Sequence, residues 1–287
     1  MILVTGATGK VGSQLIEQLT VAGEPVRALV RDPEKAARAL PEKVELARGD
    51  LDDVASIAAA LEGVERLFLL APPTQNLVDL ERNVLTAARD AAGGVGHIVK
   101  LSAIGADPTA AQFVVREHGR GEAAVRETGV PFTFLRPNFF MQNLLGVAAQ
   151  IKASGAIHQP GGEQRASHID TRDIAAVAAA ILMDPKKHAG QTYTLTGPQS
   201  LTFSEVADTL SRVVGRPVKY VDVPRDMAKA AMIAGGMPPW YAEAISELMD
   251  DYRAGKMSMV SDDVERVTGR KPRTLEQFAQ DHRAAFA

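Results

Sequence analysis

Met1-Ile2-Leu3-Val4-Thr5-Gly6-Ala7-Thr8-Gly9-Lys10-Val11-Gly12 opens the chain, and its reading decides the fold. An apolar, β-branched run stops at Thr5-Gly6. Glycines then recur at every third residue, Gly6, Gly9 and Gly12, and a periodic apolar pattern follows at Val11, Leu15, Ile16 and Leu19. Strand, tight turn and helix in that order predict the start of a dinucleotide-binding βαβ unit. Each glycine has a physical task in such a unit. One turns the chain sharply off the strand, one admits the backbone close to a pyrophosphate, and one lets the helix pack on the sheet. The helix start offers unpaired N–H donors and a partial positive charge to the phosphates. The spacing excludes a nucleotide-hydrolase phosphate loop: Gly9-Lys10 is followed by Val11 rather than Ser or Thr, and no glycine lies five residues before Gly9.

The bulk properties narrow the function classes. The 287 residues carry a net charge of −3 with no dominant basic patch, so no nucleic-acid partner is expected. The absence of cysteine excludes disulfides, cysteine-held iron–sulfur clusters and thiol chemistry. The longest apolar stretch, Ile174 to Met183, is too short to span a bilayer, and the first strand begins where a secretory signal would lie. A cytoplasmic protein without a membrane partner is the expectation. No histidine or carboxylate group has metal-ligand spacing, so no metal is expected.

Strands and helices alternate beyond the glycine turn. Strand-like runs at 26–31, 44–47, 66–70, 97–102 and 132–136 are separated by helical patterns at 52–61, 77–92 and 119–128. This alternation predicts a Rossmann-type α/β fold, a doubly wound parallel sheet, with residues 1–137 as the dinucleotide-binding core. Residues 138–287 read as a mixed region with strand-like pieces at 167–169, 192–195 and 218–221. Helices are expected there at 171–183, 204–214, 225–234 and 240–254. This second part is expected to complete the sheet edge and to form a smaller, substrate-binding part over the carboxyl ends of the strands.

The second strand ends at Val30-Arg31, with Asp32 one step on. An acidic residue at that tip reads the ribose diol of NAD, whereas Arg31 can fork onto a 2′-phosphate. Lys10 in the glycine turn adds a second cation. NADP(H) is therefore favoured over NAD(H), while Asp32 keeps NAD open. Asp50 is placed to accept from the adenine amino group, with an N-cap role as the alternative. Leu70, Ala71 and Pro72 are expected to wall the adenosine and diphosphate side, and Ser102 to face the nicotinamide. The expected cofactor set is thus Gly6, Thr8, Gly9, Lys10, Val11, Gly12, Arg31, Asp50, Leu51, Leu70, Ala71, Pro72, Ser102, Pro137 and Phe139.

The glycine turn, Val30-Arg31-Asp32-Pro33, Gly49-Asp50-Leu51, the run Gly129 to Asn143 and the C-terminal Val267 to Arg273 together resemble the NmrA-like family, a branch of atypical short-chain dehydrogenases/reductases. The resemblance covers nearly the whole chain and implies a nicotinamide-dependent reductase. Standard short-chain dehydrogenases pair a Ser with Tyr-x-x-x-Lys. No tyrosine stands after the fifth strand here; His118-Gly119-Arg120-Gly121-Glu122 occupies that region. Ser102 is the candidate for the Ser, and His118 the candidate proton donor, since imidazole titrates near neutrality. Glu122 reads as its orienting partner or as a solvated residue. Tyr252-Arg253-Ala254-Gly255-Lys256 lies far from the sheet-forming half and is expected to pack structurally.

Phe139, Phe140, Met141 and Asn143 follow the sixth strand and form the expected substrate pocket, with core packing as the alternative. A quinone-like acceptor needs little proton chemistry from protein and is the favoured substrate of an NADPH-dependent reductase. The alternatives are a non-catalytic NADP(H)-binding redox sensor and a biosynthetic reductase of an imine, enone or benzylic ether. Monomer and homodimer both stay open.

Overall fold

The computed structural model describes residues 1–91 and 93–287. The chain clusters into two units: residues 1–111, 115–137 and 171–194 form the first, and residues 112–114, 138–170 and 195–287 the second.

The first unit is built on a seven-stranded sheet. In chain order its strands are β1 (Ile2–Val4), β2 (Val26–Val30), β3 (Glu45–Arg48), β4 (Arg66–Leu69), β5 (His97–Leu101) and β6 (Phe132–Pro137). β7 (Ala156–Gln159) and β9 (Lys219–Asp222) lie elsewhere, and β8 (Thr192–Leu195) adds the last strand. The spatial order is β3-β2-β1-β4-β5-β6-β8, with every pairing from β3 to β6 parallel. Register places Val4 between Ala28 and Phe68. Ile2, Leu3, Val4, Leu67, Phe68 and Leu69 are fully buried, as strands covered on both faces must be.

The covering helices are α1 (Gly12–Val21), α2 (Pro33–Ala37), α3 (Val54–Ala60), α4 (Leu77–Asp90) and α5 (Phe113–Glu127), with α6 (Ala148–Ser154) and α7 (Thr171–Met183) later in the chain. α7 is apolar nearly all round and lies against α1, where Gln18 Nε2 donates to the Arg172 carbonyl at 3.1 Å. That packing, together with β8 beside β6, returns residues 171–194 to the first unit. β8, from the part of the chain after residue 137, thus completes the sheet edge beside β6.

The expected helix at 119–128 starts earlier, at Phe113. Gly119 and Gly121 sit inside α5 where neighbours crowd it. A Cβ on Gly119 would lie 2.2 Å from the Asp107 carbonyl carbon, and one on Gly121 would lie 2.0 Å from Glu81 Oε2. The expected helix at 77–92 is α4, which ends at Asp90; Ala92 lies outside the described residues. Residues 167–169 form no strand, and Ile169 makes only an isolated bridge to Phe140.

The second unit holds α6, a parallel pair β7-β9, of which β9 was expected at 218–221 and β7 was not, and the helices α8 (Phe203–Val214), α9 (Arg225–Ala234), α10 (Pro239–Arg253), α11 (Asp263–Thr268), α12 (Leu275–Asp281) and α13 (Arg283–Phe286). Its centre is aromatic. Phe203 stacks on Tyr252 at 4.9 Å between ring centroids, and Phe139 meets Tyr252 edge-on at 5.7 Å. Tyr252 is fully buried in this centre, while Arg253, Ala254 and Lys256 of the same segment are exposed.

Candidate active site

All strands from β3 to β6 run parallel, so the turns after β1, β2, β3, β4 and β5 leave one edge of the first unit's sheet. Gly6 turns the chain with φ +63°, a conformation that side-chain-bearing residues avoid. The Gly9 N–H closes the turn on the Gly6 carbonyl at 3.0 Å. A Cβ on Gly12 would stand 2.2 Å from that same carbonyl oxygen, so α1 begins where only glycine fits. Val11 at the N-cap supplies no side-chain hydrogen bond, which leaves the first-turn amides without a side-chain acceptor. Thr8 and Gly9 are exposed. Partial burial holds the Lys10 ammonium below the ordinary lysine range. An open helix start behind a turn that a Cβ would fill suits a pyrophosphate.

Thr5 was not singled out from sequence, yet it fixes this turn. Its Oγ1 accepts from the Leu70 N–H at 2.8 Å and donates to the Leu70 carbonyl at 3.0 Å. The tips of β1 and β4 are thereby tied. A threonine at a strand end facing a turn was the available signal. Ala71 is buried and Pro72 exposed beyond them.

At the tip of β2, Arg31 is exposed and has no hydrogen-bond or ion partner among the described residues. Asp32 instead caps α2: its carboxylate accepts from the Lys35 N–H at 3.0 Å. Beyond β3, Asp53 is the N-cap of α3, accepting from Ala55 and Ser56. Asp50 is thus left out of the cap; it is exposed, and Oδ1 accepts from the Asp52 N–H at 3.2 Å. Leu51 is half-buried against the sheet's apolar core.

The end of β5 carries a dense polar group. Ser102 Oγ donates to Glu122 Oε1 at 2.6 Å. Arg136 grips the same carboxylate with Nε at 2.8 Å and Nη2 at 2.6 Å, and this bond raises the Arg136 pKa. Glu122 is therefore a buried clamp, not a solvated residue. Two residues earlier, fully buried Lys100 donates to Glu81, itself buried with Oε2 unpaired among the described residues. Burial raises the Glu81 pKa against the opposing pull of Lys100.

His118 does not meet the expectation of a proton donor near neutrality. Desolvation, aided by the charge of Lys100, lowers its pKa from 6.5 to about 3. Its Nδ1 is shielded from solvent with no hydrogen-bond partner among the described residues. The imidazole is neutral at pH 7, and a neutral imidazole is a poor acid. The four-residue spacing to Glu122 was read correctly as one helix, but the carboxylate engages Ser102 and Arg136.

Pro137 ends β6 and is buried. In the second unit, Phe139 and Phe140 keep part of their surface accessible and Asn143 is exposed. Met141 is 2% exposed and belongs to the packed interior, in the alternative role foreseen for it. Asn138, unremarked as a functional position, ties that unit: Nδ2 donates to Ser167 Oγ at 2.9 Å and to the Met257 carbonyl at 2.8 Å. Among the described residues no group of histidine, aspartate and glutamate is arranged to hold a metal, and no helix is long and apolar enough to cross a membrane.

Comparison with known proteins accords with this geometry. An NAD(P)H azoreductase of Xenophilus azovorans is 43% identical over 290 residues, spanning 100% of this chain and 99% of that one. A (4-alkanoyl-5-oxo-2,5-dihydrofuran-3-yl)methyl phosphate reductase of Streptomyces griseus is 40% identical over 289 residues, with 100% and 99% covered. The crystal structure of an NADPH-dependent quinone oxidoreductase from Escherichia coli, complexed with NADPH, superposes with a TM-score of 0.88 at 28% identity, covering 98% of this chain and 99% of that one. The NmrA-like family model matches residues 1–279. The chain belongs to the NmrA-like family.

Proposed function

We propose that the chain is an NADPH-dependent reductase that delivers hydride to small, flat, apolar electrophiles, quinone-like acceptors first. The nicotinamide-dependent oxidoreductase class is supported by end-to-end similarity to reductases of that kind. The preference for NADPH rests on one observation: at the tip of β2 Arg31 is exposed and unpaired, while the neighbouring Asp32 carboxylate is engaged by its own helix. A guanidinium without a carboxylate partner suits a 2′-phosphate.

In this reading Gly6, Thr8, Gly9, Lys10, Val11 and Gly12 surround the pyrophosphate. Asp50 and Leu51 meet the adenine, and Leu70, Ala71 and Pro72 wall its side. Ser102, Pro137 and Phe139 serve the nicotinamide end, and Phe139, Phe140 and Asn143 serve the acceptor. When bound, the cofactor supplies the hydride. The chain supplies orientation and electrostatics. Neither Ser102, whose proton is engaged by Glu122, nor neutral His118 is a ready acid. That favours acceptors whose reduced form is a stabilised anion or needs no proton at all, as with quinones and cationic dyes.

The test is NADPH oxidation, followed at its absorbance band, against quinones, azo dyes, triphenylmethane dyes, enones and imines, with binding measured in parallel. Turnover of quinones ahead of enones is expected. Tight NADPH binding without turnover of any acceptor supports the sensor instead. Enone turnover without quinone turnover supports a biosynthetic reductase, the reading that the 40%-identical Streptomyces relative favours.

A further inference from the structure

The hydrogen bonds at the end of β5 have a fixed polarity. A hydroxyl has one proton and two lone pairs, and a carboxylate only accepts. Ser102 Oγ gives its proton to Glu122 Oε1 at 2.6 Å. Glu122 is 1% exposed and is held in place from the far side. Arg136 donates Nε to Oε1 and Nη2 to Oε2, at 2.8 and 2.6 Å, and Arg126 Nη2 reaches Oε2 at 3.5 Å. Two parallel bonds from a planar guanidinium leave the carboxylate little freedom to turn. The serine backbone is fixed by the same strand, since the Ser102 N–H donates to the Leu135 carbonyl at 2.7 Å. With its proton committed, Ser102 keeps only acceptor capacity.

We propose that Glu122, locked by Arg136, is a positioning residue that makes Ser102 an acceptor-only group toward the nicotinamide cofactor. Ser102 then selects an N–H donor such as the carboxamide amine, and not a carbonyl oxygen. This rests on the cofactor assignment above and deepens it. It also removes Ser102 as a proton source, because losing that proton would leave an alkoxide against a carboxylate.

The test compares two cofactors by calorimetry: NADPH and its reduced 3-acetylpyridine analogue, which keeps the carbonyl and lacks the N–H donors. The wild-type chain is expected to bind NADPH roughly tenfold tighter, the value of one neutral hydrogen bond. Ser102→Ala is expected to bind both forms equally. In Glu122→Gln an amide NH2 at either oxygen position meets an Arg136 N–H, so the clamp that holds the Ser102 proton is broken and the hydroxyl is freed to donate. The preference then shrinks or inverts. If Glu122→Gln fails to fold, Ser102→Ala carries the test alone, with thermal melting confirming its fold. Equal wild-type binding of the two forms, or a wild-type preference retained in Ser102→Ala, overturns the proposal. Failure of the wild-type chain to bind either form overturns the cofactor assignment, and this proposal with it.

Discussion

At the scale of single residues, charge and its partners decide most of the account. Arg31→Ala removes the one guanidinium at the tip of β2 and is expected to weaken NADPH binding about 10- to 100-fold while leaving NADH nearly unchanged. Equal losses for the two cofactors in a titration would assign Arg31 a different task. Arg31 was legible in sequence because a strand end exposes its last side chain whatever the rest of the fold does. The Ser102–Glu122–Arg136 group was not. Spacing places Glu122 on one face of α5, but its partners come from β5 and β6, and strand neighbours are set by tertiary pairing. The surroundings of His118 were hidden for a related reason: the sequence shows an imidazole, while only the fold shows the desolvation and the Lys100 charge that lower its pKa.

Desolvation acts on three histidines. The pKa of His97 falls to about 4, by desolvation and the charge of His188; that of His168 falls to about 4 by desolvation; that of His118 falls to about 3. The unfolded chain titrates these groups near 6.5, so below that pH it binds protons that the fold excludes. Their stabilisation is fully present above pH 6.5 and is lost as pH falls through 4 towards 3. The Tm is expected to drop between pH 7.5 and 4.5, with a smaller drop in His168→Phe, whose ring keeps the contacts with Phe203 and Phe139. An unchanged pH dependence in that variant would remove His168 from the explanation.

At the scale of elements, close approach between backbones sets what the glycines do. Gly12→Ala sets a Cβ against the Gly6 carbonyl, so the β1–α1 turn must shift, and NADPH affinity is expected to fall steeply while the sheet persists. Calorimetric titration with a circular-dichroism control checks this. The glycines of the opening turn were legible because their spacing matches a turn that needs them. Gly119 misled about where α5 begins, since a glycine at a helix start and one that admits a neighbour look alike in sequence. Gly121 makes room for the buried Lys100–Glu81 pair. Lys100→Met alone is expected to cost about 3–5 kcal/mol by leaving Glu81 without its partner, and Lys100→Met with Glu81→Met to recover most of it. Denaturant unfolding of the single and double variants measures both. A double variant no more stable than the single would show that packing, not charge, holds the site.

At the scale of the whole molecule, the doubly wound parallel sheet was legible because alternating strands and helices admit few right-handed solutions. That the chain after β6 completes the sheet edge was legible too, but not which elements pack there. α7 and β8 return to the first unit through packing on α1 and pairing beside β6, and no local pattern announces such a return. The aromatic centre of the second unit escaped for the same reason, since Phe139, Phe203 and Tyr252 lie far apart in sequence.

Hydride delivery from NADPH is the chemistry on which the function turns. A single-turnover experiment tests it most directly: NADPH, and NADPH dideuterated at the nicotinamide C4, mixed with enzyme and a quinone while the reduced-nicotinamide absorbance is followed. A first-order decay that slows with the deuterated cofactor is expected. An absorbance that stays constant with quinones, azo dyes and triphenylmethane dyes, while binding remains tight, would contradict it.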